Sequence, residues 1–355
     1  MPDVKEVYEM VTKQKPPQPG ALERQWHRQR RAHRNRKIGA MALVASVIAA
    51  LLTIAITLRS DTGPRPATRS FQPGEPVIVG LDGSILRQVA GLPPDVRDIA
   101  ISPDGTTIAF VSSSTSFDAS LGGFCGACSP HMRIFTRAID GGAARMLEVP
   151  GPAGAAELPA WSPDGSKIAF VNQRGHIAVM DADGRHLHPL TTGPTDDAYP
   201  SWSPDGSRIA YSSSSLVAGP AFGVSEIDTI SVDGGTPTRL TQDTIDDSLP
   251  TWSPDGSRIA YVSGRELYVM DADGTNAHTV GEEQQAVSAL AWSPDGRRLA
   301  TLEDIDPSGT EMAVIVRDLE TGAETSVGPH VAGPFGGVVW ASSNTLLITG
   351  SIHRS

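Results

Sequence analysis

The chain has 355 residues, 39% of them hydrophobic, with 36 Gly, 28 Pro and a formal net charge of -11. That length holds two average domains or one large repeat array, and so much Gly and Pro argues against a protein built mainly of long helices. The charge is divided: residues 1–37 carry ten basic side chains against four acidic, a net of +6, and the remainder 19 against 36, a net of -17. A split this sharp points to two compartments rather than one mixed surface.

Residues 1–37 read as a cytoplasmic basic stub. Val4, Val7, Tyr8 and Val11 recur at helical spacing, and the Pro/Gly run at 15–20 ends that turn. Arg24, Arg28, Arg30, Arg31, Arg34 and Arg36 flank Trp26. Such a cluster suits a nucleic acid or a protein partner. Directly before an apolar span it reads more simply as a topology signal that touches anionic lipid, and no nucleic acid is expected.

Residues 38–58, IGAMALVASVIAALLTIAITL, run without a single charge. At ~1.5 Å per residue they can cross a hydrocarbon core of about 30 Å. The long segment before the span, and the lack of a small-residue cleavage pattern after it, separate it from a secretory signal. A single transmembrane helix is therefore expected. By the positive-inside tendency the N-terminus is cytoplasmic and the acidic bulk is exported, which puts the protein in the plasma (inner) membrane. Residues 59–75, rich in Pro, Gly, Ser and Thr, form a linker of at most roughly 55–60 Å.

From residue 76 to 355 one sentence recurs. It stands as SPDG with a following β-rich run at Ile101, Trp161, Trp202, Trp252 and Trp292, with a worn copy at Trp340. Repeats of about 40–45 residues with several strands each indicate propeller blades. Successive starts lie 60, 41, 50, 40 and 48 residues apart. Ser-Pro-Asp-Gly is a type I turn signature, and a second turn follows in each unit, containing Asp-Gly in four of them, a strong hairpin cue between apolar runs, and the looser ETG at 320–322 in the fifth. Each unit thus predicts four antiparallel strands. Residues 77–90 hold only the second half of a unit and 338–350 only the first half. Joined, they complete a sixth blade and remove the open ends of the ring. The expected fold is all-β: a six-bladed β-propeller of four-stranded blades, closed by N- and C-terminal strands in one shared blade and preceded by a single transmembrane α-helix.

WSPDGSRIAY at 252–261 followed by LYVMDADG at 267–274 resembles the TolB-type propeller repeats, which also occur beside hydrolase domains in prolyl-oligopeptidase-like enzymes. The resemblance covers essentially the whole of 76–355. It implies the fold, with the Trp residues wedged between blades, and it implies that peptides or ions bind at the channel mouth.

The sequence varies at one end of the blades. The long insertions 112–132 and 212–224 fall there, and so do the acids that precede the innermost strands: Glu157, Asp196, Asp197, Asp246 and Asp247. These five are the candidate ligand-binding residues of an acidic face suited to a cation or a basic peptide; the alternative is that they are solvated loop caps. Cys125 and Cys128, close together in the first insertion, suit a small-loop disulfide in an oxidising compartment. Metal binding with His131, a redox pair and unpaired thiols are the other readings. The chain has no G-x-S-x-G elbow and no H-E-x-x-H pair; no catalytic residue, cofactor or resident metal is expected. The leading expectation is a membrane-anchored scaffold for a protein or peptide partner. A transmembrane sensor acting through the stub and a propeller hydrolase with an ion at the channel mouth are the alternatives.

Overall fold

The computed structural model describes residues 76–93, 96–112, 132–149, 156–215, 223–281, 286–305 and 311–352. The stub, the apolar span, the linker, Cys125, Cys128 and His131, and residues 216–222 of the second insertion lie outside them. Among the described residues no helix is long and apolar enough to cross a membrane.

Everything described is strand and turn. After β1 (Val77–Gly80) and β2 (Ile85–Gln88), the first blade is β3 (Arg97–Ile101), β4 (Thr107–Ser112), β5 (Arg133–Ala138) and β6 (Arg145–Met146). The second is β7 (Ala156–Trp161), β8 (Lys167–Asn172), β9 (Ile177–Asp181) and β10 (His188–Pro189). The third is β11 (Thr195–Trp202), β12 (Arg208–Ser215), β13 (Ser225–Ser231) and β14 (Thr238–Arg239). The fourth is β15 (Asp247–Trp252), β16 (Arg258–Ser263), β17 (Glu266–Asp271) and β18 (His278–Thr279). Each is an antiparallel sheet with its strands in sequence order. The outermost strands of these four blades are very short, which leaves little edge for another chain to pair with.

The fifth and sixth blades are built from β19 (Val287–Trp292), β20 (Arg298–Asp304), β21 (Glu311–Asp318), β22 (Glu324–Ser342) and β23 (Thr345–Ile352). β1 pairs antiparallel with β23, Val77 opposite Ile348 and Gly80 opposite Thr345. The shared blade read from the two half-units is therefore present, in the order β22-β23-β1-β2. β22 does more than the repeat implied. Its 19 residues serve first as the outer strand of blade five and then as the inner strand of blade six, joining the two into one seven-stranded sheet.

The SPDG turns share one hydrogen-bond pattern. The Ser hydroxyl donates to the Asp carboxylate, at 2.5 Å for Ser102 and Asp104 and 2.6 Å in the other four turns. It also accepts the N–H of the first strand residue after the turn, at 2.9 Å in all five. The Gly at the exit sits at φ between 68° and 72°, a region open to Gly without strain. The Ser hydroxyl and a backbone N–H hold Asp164 below the ordinary carboxylate range, and the Ser203 hydroxyl does the same first for Asp205. For Asp104, Asp255 and Asp295 burial is the largest influence and pulls upward, but the hydrogen bonds together outweigh it. Because the folded values lie below the ordinary 3.8, this stabilisation is complete above about pH 4 and is lost as pH falls through the depressed values. Urea midpoints measured from pH 5 down to about pH 2.5 should fall steeply below pH 4, and less steeply when the five Asp are changed to Asn. Equal slopes would contradict this account.

The core lies between blades, not within them. Six buried apolar clusters fill the six blade-to-blade contacts, from Ala109, Val111, Phe170 and Met180 between blades one and two to Ile108, Phe110 and Leu347 between blades one and six. The Trp that precedes four of the five SPDG turns, with Ile101 in its place in the first, is a wedge. Trp252 packs on Ala210 and Ile227 of the blade before it, and Trp292 on Ala260, Val262 and Leu267. Arg208, Arg258 and Arg298 of the preceding blade stack over Trp252, Trp292 and Trp340 at 4.8, 4.9 and 5.1 Å, each worth about 0.5–1 kcal/mol.

The innermost strands touch in succession around the ring, and β22 meets β3 to close it. Four of them carry a bulge at the same place, where Asp98, Leu158, Tyr199 and Leu249 take positive φ of 46° to 55°. A bulge turns a side chain out of the strand's alternation. The closure between blades six and one has its own clasp: the buried Arg137 donates to the carbonyls of Gly91 and Ala90 at 2.8 and 2.9 Å.

Candidate functional site

Antiparallel order puts the SPDG turns at one end of the blades. The connections between β12 and β13, and between β14 and β15, lie at the other. This second end carries all five candidate acids. Glu157, Asp196 and Asp246 are exposed; Asp197 and Asp247 are each only 1% exposed. Asp196 lies over the turn at Gly175, so close that a Cβ there would stand 1.9 Å from its Oδ1. Asp246 accepts the Ser225 N–H at 2.9 Å.

The two buried acids occupy equivalent places in consecutive blades. In the first, Thr191 receives the Ile177 N–H at 2.9 Å and donates its hydroxyl to Asp197 Oδ2 at 2.5 Å. Ser213 donates to Asp197 Oδ1 at 2.8 Å. His176 Nδ1 stands 3.6 Å from the same carboxylate. Each oxygen of Asp197 thus accepts a hydroxyl, the usual state of a buried carboxylate.

The corresponding residues of the next blade are Glu226, Thr241, Asp247 and Ser263, and there the pattern breaks. Thr241 still receives the Ile227 N–H at 2.9 Å, but its hydroxyl now donates to Glu226 Oε2 at 2.8 Å. Glu226 Oε1 accepts the Asp243 N–H at 3.0 Å. Neither oxygen of Asp247 has a hydrogen-bond partner. Burial pushes its carboxyl up to about 6; the Thr241 and Ser263 hydroxyls nearby oppose the rise without making a bond, and the charges of Asp243 and Glu226 add to it. Glu226, Asp243 and Asp247 bring ligand oxygens within 4.8 Å of one another, the one such trio among the described residues.

The five acids read from the sequence therefore do not form one cluster. Asp247 joins Glu226 and Asp243, which sequence reasoning passed over. The available signal was the constant offset that carries Thr191, Asp197 and Ser213 onto Thr241, Asp247 and Ser263; at that offset Glu226 stands where blade two has His176.

Apolar groups share this end. Ile245 and Ile305 are 49% and 40% exposed in its connections, and Tyr199 is 38% exposed on an inner strand. Burial raises the Tyr199 phenol first and the Asp98 charge second, although their strands lie two blades apart.

Residues 224–327 match the family described as the dipeptidyl peptidase IV (DPP IV) N-terminal region. No curated protein matches the chain in sequence. Among solved structures, a putative TolB from Agrobacterium tumefaciens aligns with a TM-score of 0.61 at 18% identity, over 80% of this chain and 100% of that one. TolB from Acinetobacter baumannii aligns at 0.51 and 18%, over 70% of this chain and 65% of that one. An oligogalacturonate lyase in complex with manganese aligns at 0.49 and 15%, over 76% and 77%. With its six interblade clusters, shared closing blade and SPDG turns, the described part of the chain is a six-bladed β-propeller of TolB-like fold.

Proposed function

We propose that the chain is a membrane-anchored, extracytoplasmic scaffold that binds a protein or peptide partner on the loop-bearing end of its propeller. One observation carries this reading: exposed acids Glu157, Asp196 and Asp246 share that end with exposed Ile245 and Ile305. Acid speeds encounter with a basic segment and apolar groups hold it after docking. The apolar span 38–58 supplies the anchor and the charge division its orientation. The chain enters β1 at this same end, because Val77 lies opposite Ile348, away from the β22–β23 hairpin.

A photo-crosslinking side chain placed at Asp196 or Asp246 in cells should trap a discrete partner. The same group at Ser207 or Ser257, in SPDG turns at the opposite end, should not. Equal trapping from both ends, or none from Asp196 and Asp246, overturns the reading. A sensor acting through the stub is the second reading, favoured by the helical spacing of Val4, Val7, Tyr8 and Val11. Deleting residues 2–22 separates the two: a scaffold keeps its partner and its output, while a sensor keeps the partner and loses the output.

A further inference from the structure

We infer that Glu226, Asp243 and Asp247 form a binding site for a hard divalent cation of calcium's size, which ties blade three to blade four. The inference does not depend on which partner the propeller binds. Two independent observations meet here. The first is the trio itself, three carboxylates from the start of β13, the β14–β15 connection and the first residue of β15, with ligand oxygens no more than 4.8 Å apart. Oxygens on opposite sides of a calcium ion stand about 4.6–5.2 Å apart, given bonds of roughly 2.3–2.6 Å. The second is that Asp247, 1% exposed, brings a carboxylate oxygen to this trio while neither of its oxygens has a hydrogen-bond partner. A buried carboxylate without a partner is costly, and among the described residues no basic side chain comes within 4.0 Å of any of the three acids.

The neighbouring blade shows what the alternative looks like. There the equivalent positions are His176, Thr191, Asp197 and Ser213, and the Thr191 and Ser213 hydroxyls serve the aspartate. At the second copy Glu226 stands in place of the His, and it takes the Thr241 hydroxyl that would have served Asp247. A third carboxylate where the neighbouring blade has an imidazole makes sense as a ligand set. Oxygen-only donors and a partly open side, where Asp243 is exposed, suit calcium, which keeps several water or carbonyl ligands, better than a softer metal.

The test uses the full-length chain in detergent micelles, stripped with a chelator, then given calcium, magnesium or no metal. Calorimetric titration should find one calcium per chain at this site, and the unfolding midpoint should rise by roughly 3–6 °C at about 10 mM calcium. Asp247→Asn and Glu226→His should lose both the heat and the rise. In chelator both variants should unfold at or above the wild-type midpoint, because each removes a crowded charge. The order of stability thus reverses between chelator and calcium. The inference fails if wild type shows no calcium-dependent heat or rise, if either persists in both variants, or if the variants are the less stable proteins in chelator.

Discussion

Arg317→Ala is expected to destabilise the propeller by about 3–5 kcal/mol, read as a lower denaturation midpoint. Arg317 is 4% exposed. Its Nη1 donates to Glu303 Oε1 at 2.5 Å and to Thr301 Oγ1 at 2.6 Å, and its Nε to Glu324 Oε1 at 2.8 Å. Thr301 also donates to Glu303. Removing the guanidinium leaves Glu303, 6% exposed, as a buried charge without its counterion, and that leftover charge is the larger part of the loss. Two companions check the cause. Glu324→Gln should cost less than about 1 kcal/mol, because Glu324 is 42% exposed and water screens its half of the network. Arg317→Met combined with Glu303→Leu should recover most of the loss, since the pair leaves together. A double variant as unstable as Arg317→Ala would mean that packing, not charge, governs the site.

Trp292→Ala is the second large effect, about 3–5 kcal/mol. The indole fills the contact between blades four and five, donates Nε1–H to the Thr251 carbonyl at 3.0 Å and lies under Arg258. Phe in its place isolates the hydrogen bond. Trp292→Phe should cost about 1 kcal/mol more than Trp252→Phe, because the Trp252 Nε1 is buried without a partner. Equal costs for the two Phe variants would show that the indole bond adds nothing to the wedge.

The repeat was legible because it is local chemistry. Ser, Pro, Asp and Gly each do a separate job inside one short turn, and the repeat starts at Ile101, Trp161, Trp202, Trp252, Trp292 and Trp340 count the blades. Ring closure was legible because the two half-units are complementary. The dual use of β22 was not, since nothing in 324–342 marks a strand that leaves one blade for the next. The site was half legible. Asp196–Asp197 and Asp246–Asp247 are two adjacent pairs at the starts of β11 and β15, where successive side chains face opposite ways, so one of each pair is exposed and the other buried. Charge reversal belongs at Asp196 and Asp246; at Asp197 it would strand Thr191 and Ser213 in the interior. Glu226 escaped notice because one Glu opening the strand SEIDTIS looks like any solvent-facing residue until its neighbours across β14 and β15 are known.

The pairing of β1 with β23 also sets a timetable. Gly80 and its partner Thr345 stand 265 residues apart in the chain. At synthesis rates of about 5–20 residues per second, β1 waits roughly 13–53 s for its partner. Throughout that interval the first strands to emerge present unpaired backbone and the apolar side chains of Val77 and Val79, both wholly covered once folded. If the apolar span is a membrane anchor, many copies would wait in this state side by side on one surface. Newly made chains would then be most at risk of pairing with each other, and a chaperone that shields residues 77–88 until the C-terminus arrives would act where it is most needed.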